Sequence, residues 1–174
     1  MIVDNMEWLL LLPMPILAWI WIQLMRGEAI PYPLPDSTVR EILRMARVRR
    51  RELVYDLGSG DGRVSIIAAS EFGAKAVAIE RNRFMAWLTK WNVKRGRVSM
   101  SVKTVRNNFF KEGLHEADVV VAYLSAKTTQ KLKLKFLKEL RKGTRIVSAA
   151  HPIEGWQEER KIKTGHFYSY LYRV

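Results

Sequence analysis

Apolar side chains along this chain follow two regimes. Residues 8–25 form one uncharged apolar stretch in which Gln23 is the single clearly polar side chain. From Asp36 onward, short apolar runs alternate with amphipathic stretches. Val39, Ile42, Leu43 and Ala46 recur on one face of a helix that Asp36 or Ser37 can cap. Glu52 to Tyr55 reads as a short buried strand, and the Ala-rich stretch Val64 to Phe72 as a helix packed on a sheet. A second strand, Ala76 to Ile79, precedes an amphipathic helix capped by Asn82 and ending near Arg95. Ser101 to Val105 is a third strand, and the nearly continuous apolar run Ala117 to Tyr123 is a fourth, buried on both faces. Lys127 to Arg141 is a helix with Leu132, Phe136, Leu137 and Leu140 inward and Lys127, Lys131, Lys133, Lys135 and Lys138 mostly outward. Lys142-Gly143 ends it, and Thr144 to Ser148 is a fifth strand. Gly165 then joins two strand patterns as a hairpin would. The pattern predicts an α/β fold with a C-terminal antiparallel hairpin, preceded by an N-terminal apolar helix.

The junction between the first strand and its helix is the most informative segment. Asp56-Leu57-Gly58-Ser59-Gly60-Asp61-Gly62-Arg63 places three glycines in eight residues. Glycine tolerates positive φ, and its missing Cβ lets a ligand lie against the backbone while helix N–H groups face it. The second strand ends in Glu80, 20 residues beyond Gly60, where an open α/β sheet places an acid for a ribose diol.

Asp-Leu-Gly-Ser-Gly-Asp-Gly resembles the first motif of class I S-adenosylmethionine (SAM)-dependent methyltransferases, and Glu80 resembles their ribose acid. The match to a nicotinamide dinucleotide fingerprint is poorer. The resemblance implies a Rossmann-like class I methyltransferase sheet and SAM as cofactor. It places Gly58, Ser59, Gly60 and Gly62 in the cofactor turn, with Asp56 at the methionine end and Glu80 at the ribose. Arg81 and Asn82 then wall the adenine or merely cap the helix. Asn108 stands where the family usually has an acid, and its amide oxygen can accept from the adenine amino group. Phe109 stacks on adenine or belongs to the core.

Other features are similar to a small group of seven-strand protein-lysine methyltransferases: the apolar start, Pro31-Tyr32-Pro33-Leu34-Pro35, the glycine motif with Arg63, and Thr144 to Ser148 followed by Gly155-Trp156. The group includes membrane-anchored mitochondrial enzymes acting on the ATP synthase c-ring protein and the adenine nucleotide translocase, and broad-specificity archaeal enzymes. That resemblance implies methyl transfer to lysine side chains of proteins. Candidates to line the acceptor site are Tyr123 and Leu124 at the end of the fourth strand, with His151 and Trp156 beyond the fifth. Plainer explanations also exist, as packing for Tyr123 and Trp156 and as an exposed loop residue for His151.

Composition narrows the chemistry. There is no cysteine, so disulfides, thiolate metal sites and cytosine C5 methylation by a cysteine nucleophile are excluded. Three scattered histidines offer no metal-ligand spacing, so no metal is expected. The 174 residues allow one catalytic domain, 30–174, behind an apolar segment, 1–29. Residues 8–25 would reach about 27 Å as a helix, close to the roughly 30 Å bilayer core. A membrane anchor is expected there, although Pro13 and Pro15 also suit a helix folded onto the domain or into a dimer. Residues 1–30 carry one arginine and three acids, whereas the remainder holds 29 basic and 14 acidic side chains. A cationic body beside an apolar segment predicts a cytoplasmic catalytic domain. The same charge suits nucleic acid, so RNA or DNA methylation stays open, as does a non-catalytic SAM-binding membrane module.

Overall fold

The computed structural model describes residues 33–174. The anticipated N-terminal helix and the 29/30 boundary fall on or beside residues outside that range. Among the described residues, no helix is long and apolar enough to cross a membrane.

Eleven elements follow one another: α1 (Asp36–Met45), β1 (Leu53–Leu57), α2 (Arg63–Phe72), β2 (Lys75–Ile79), α3 (Arg83–Arg95), β3 (Val102–Val105), β4 (Val119–Ala122), α4 (Ala126–Glu139), β5 (Arg145–Ala149), β6 (Arg160–Thr164) and β7 (Phe167–Arg173). The strands form one sheet in the order β3-β2-β1-β4-β5-β7-β6. The first five are mutually parallel, and β7 enters antiparallel between β5 and β6. This is the Rossmann-like methyltransferase sheet with its C-terminal hairpin.

Two cores lie on the two faces of the sheet. One joins α1, α2 and Val93 of α3 to Val54, Val119, Val121 and Val147. The other joins Leu132 and Phe136 of α4 to Leu57, Val120, Ile146 and Tyr172. Alternate residues of a strand point to opposite faces, so neighbouring β4 valines serve different cores. All four β4 residues are buried, as their apolar run requires.

Several boundaries move. β1 runs on to Leu57, and β4 begins at Val119 because Asp118 accepts from the Leu53 amide through its side chain and terminates the apolar run. α1 has no side-chain cap from Asp36 or Ser37; Pro35 occupies the cap and its carbonyl accepts from Val39 N–H at 3.0 Å. Asp36 instead lies 3.7 Å from Arg63. α4 buries Thr129, Leu132 and Phe136, which leaves Leu137 about a quarter-turn off that stripe and 57% exposed. Lys135 is not a solvated lysine: its ammonium meets Glu139 at 2.7 Å, one helical turn on.

Candidate functional site

Strand order reverses between β1 and β4, and the C-terminal ends of these two strands open the crevice where parallel sheets bind ligands. The glycine turn leaves β1 at this point. Gly58, Gly60 and Gly62 have φ of 75°, 57° and 86°, values that other L-residues rarely adopt. The turn is pinned from several sides. Gly58 and Ser59 N–H donate to the Ile79 carbonyl at 2.9 and 3.0 Å, and Gly62 N–H donates to the Ser59 carbonyl. The Thr89 hydroxyl of α3 donates to the Gly60 carbonyl at 2.7 Å, and Asn92 Nδ2 donates to the Asp61 carbonyl. Arg63 clasps Asp61 and the Leu34 carbonyl, which ties the turn to the segment before α1.

Two acids flank the turn. Asp56 is 4% exposed and accepts from the Ser65 hydroxyl at 2.9 Å. Burial pushes its carboxyl up to about 7, while the Ser65 hydrogen bonds pull it down in part. Glu80 accepts from Gly60 N–H at 3.1 Å through one oxygen and from Asn82 N–H at 2.8 Å through the other. Glu80 therefore ties the glycine turn to the start of α3. Asn82 Oδ1 accepts from Phe84 and Met85 N–H, so Asn82 caps α3. Arg81 is exposed beside it.

Ser59 Oγ is buried and has no hydrogen-bond partner. A buried hydroxyl without a partner is costly, and a polar ligand in the crevice would satisfy it. A Cβ built on Gly60 would meet Met85 Cε at 3.9 Å, an ordinary contact, so nothing crowds that backbone. These features fit an adenosyl amino acid with its carboxylate, ammonium and ribose diol.

The remaining sequence candidates divide. Asn108 lies beyond β3, half-buried, with its amide oxygen already accepting from Phe110 N–H at 3.0 Å. A second lone pair remains for another donor. Phe109 packs on the α4-side core with its ring 4.9 Å from that of Phe110. Tyr123, at the end of β4, stacks on Phe167 at 5.5 Å and belongs to the α1/α2 side. Trp156 meets Tyr172 edge-on at 5.9 Å on the α4 side. The fold thus gathers Asp56, the glycine turn and Glu80, but it divides Tyr123 and Trp156 between opposite faces. His151 follows Ala150, a non-glycine residue at φ 72°, and its carbonyl accepts from Ser148 Oγ.

Ser65, Thr89 and Asn92 were not legible as site residues, whereas Leu124 was a candidate for the acceptor lining. Leu124 lies so close that a Cβ on Gly58 would meet its Cδ2 at 3.0 Å. The side chains of Ser65, Thr89 and Asn92 matter through contacts made by folding. A cleft of about 370 Å³ lined by Arg47, Arg141 and Arg145 opens at the opposite, N-terminal ends of β1, β4 and β5. Nothing of the glycine turn reaches it, so it is not the crevice described above.

A profile described as the ANTKMT methyltransferase domain matches residues 56–160, from the first acid to the start of β6. The chain belongs to this family. It is accordingly a class I SAM-dependent methyltransferase. A "Protein-lysine N-methyltransferase" of Saccharolobus islandicus is 40% identical over 136 residues, covering 77% of this chain and 84% of that protein. An ATP synthase C-subunit lysine N-methyltransferase of Mus musculus is 31% identical over 142 residues, covering 81% of this chain and 57% of its own length. The chain therefore spans little more than half of that mammalian relative. An RNA methyltransferase from Salinibacter ruber, solved with S-adenosyl-L-homocysteine, superposes with a TM-score of 0.80 at 31% identity. That match covers 82% of this chain and 94% of the solved one. Among the described residues, no group of side chains could hold a metal ion.

Proposed function

We infer that this chain transfers methyl groups from SAM to lysine side chains of proteins. The similarity to the archaeal protein-lysine methyltransferase, over most of both chains, carries this reading. Asp56 and Ser59 would hold the amino-acid end, Glu80 the ribose, and Gly58, Gly60 and Gly62 the positive-φ turn between them. Arg81, Asn108 and Phe109 are the adenine-side candidates.

Bound SAM supplies a methyl group on a positively charged sulfur, an electrophile that needs no metal. The chain's own task is then to dehydrate and align a lysine amine. A lysine ammonium must lose its proton first, and burial in an apolar channel lowers its pKa. No strong base is required. Tyr123 and Leu124 at the end of β4, with His151 and Trp156 beyond β5, are the candidates for that channel.

Residues 1–29 are proposed as an anchor for the domain 30–174, with residues 8–25 in the bilayer and the domain on the cytoplasmic side. Their uncharged composition and the cationic body support this. The Salinibacter ruber similarity favours RNA as the second reading. One experiment separates the two: the full chain is incubated with methyl-labelled SAM and cell lysate, then split between nuclease and protease. Label that survives nuclease and maps to lysine supports the proposal. Label lost with nuclease moves the acceptor to RNA.

A further inference from the structure

α3 carries two faces of different character. Ala86, Thr89 and Val93 are buried against the sheet and glycine turn. On the other side, Phe84, Trp87 and Trp91 follow one another at spacings of three and four, which places them on one helical face. They are 64, 58 and 47% exposed, and the Phe84 and Trp87 rings are 5.9 Å apart. Met100, in the turn beyond the helix, is 98% exposed. Exposed rings of this size, clustered rather than scattered, mark an interaction surface.

Charge says what kind. Residues 81–111 contain nine lysines and arginines and no aspartate or glutamate. Lys90 and Lys94 flank the rings along the helix, and the Arg95 guanidinium sits 5.1 Å from the Trp91 ring centre. An acid-free cationic border around protruding tryptophan and phenylalanine complements an anionic lipid surface, where aromatic rings settle at headgroup depth and cations meet phosphate. Single-stranded nucleic acid prefers a groove in which bases stack. Here the rings stand out from a convex helix.

We propose that the outer face of α3, with Phe84, Trp87 and Trp91 at its centre, docks the catalytic body onto an anionic lipid bilayer. The surface adjoins the cofactor crevice: Asn82 caps α3 directly beyond Glu80, and Met85 Cε would meet a Cβ placed on Gly60 at 3.9 Å. Docking therefore turns the methyl-transfer site toward the lipid surface. This goes beyond an N-terminal anchor, which would leave the orientation of the body free, and it does not depend on which macromolecule is methylated.

The cysteine-free chain permits a clean test. Full chain carrying Trp87→Cys is labelled with a polarity-sensitive fluorophore, and Leu134→Cys, exposed on α4 on the other side of the sheet, serves as reference. Vesicles of phosphatidylcholine with phosphatidylglycerol should shift the label at 87 to the blue and expose it to nitroxide-lipid quenching, leaving the label at 134 unchanged. Lys90→Gln with Lys94→Gln should weaken the response about thirtyfold, since each cation near an anionic surface strengthens binding roughly fivefold. Sedimentation with vesicles while neither label responds would overturn the proposal and leave only the anchor. A label at 87 already shielded from aqueous iodide without lipid would also overturn it, by showing the face covered by protein. A shift produced by RNA and not by vesicles would make the face a nucleic-acid surface instead.

Discussion

Asp56 would couple the proposed cofactor site to pH. Its carboxyl is held near 7 by burial, against an ordinary value of 3.8, so between these values the folded protein keeps a proton that the unfolded chain has lost. Its contribution to stability therefore falls as pH rises through that window. Asp56→Asn retains the acceptor for Ser65 and removes this slope, which raises stability above pH 7 by at most about 4 kcal/mol. Urea unfolding on either side of the window checks it. A ligand ammonium beside Asp56 favours the ionised form. S-adenosylhomocysteine binding should accordingly tighten as pH rises toward 7 and release a proton, read by calorimetry in buffers of different ionisation enthalpy. The glycines separate folding from binding at the same scale. A Cβ on Gly62 would meet Thr89 Cγ2 at 2.7 Å, whereas one on Gly60 meets nothing closer than 3.9 Å. Gly62→Ala should cost roughly 1–3 kcal/mol of stability. Gly60→Arg should abolish S-adenosylhomocysteine binding while the unfolding transition persists, and retained binding would show the turn is not the cofactor site.

Elements locate the turn as much as its own residues do. α2 begins at Gly62, which has no side chain to cap it, and its first N–H, that of Arg63, donates to Asp61 at 3.2 Å. α3 is capped by Asn82 and reaches back with Thr89 to hold the Gly60 carbonyl. Thr89→Val, close in shape but without the hydroxyl, should cost about 1 kcal/mol and loosen cofactor binding. Denaturation and ligand titration read the two effects separately. These helices and strands were largely legible, since their apolar spacing is a local property. Asn82 as a cap, the glycine turn and the Gly165 hairpin could be read directly. Leu137 could not, because periodicity marks a broad face and packing selects the stripe within it.

The whole molecule depends on ties between distant segments. Arg145 at the start of β5 is almost buried; its guanidinium meets Glu52 at 2.6 Å and donates to the Ala46 and Arg47 carbonyls at the end of α1. Arg145→Ala would strand the Glu52 carboxylate and two carbonyls, at a cost of about 3–5 kcal/mol. A drop in the denaturation midpoint of the full chain would register it, and a neutral result would mean that α1 is held by apolar packing alone. The cationic α3 surface and the cofactor crevice belong to the same end of the molecule through Asn82 and Met85, so orientation on a bilayer and access to the methyl donor would be set together.

By itself the sequence determined the alternation of strands and helices, the positive-φ glycine turn and the acids at the ends of β1 and β2. Backbone conformation and burial periodicity act over a few residues, and a motif of eight contiguous positions carries its meaning in order and spacing. Tertiary structure alone decided which distant groups meet. It set Ser65 on Asp56, Thr89 on Gly60 and Leu124 on Gly58, and it sent Tyr123 and Trp156 to opposite faces of the sheet. It also turned three aromatic rings of α3 away from the core. Helical spacing puts those rings on one face; only the packing of Ala86, Thr89 and Val93 against the sheet makes that face the outer one.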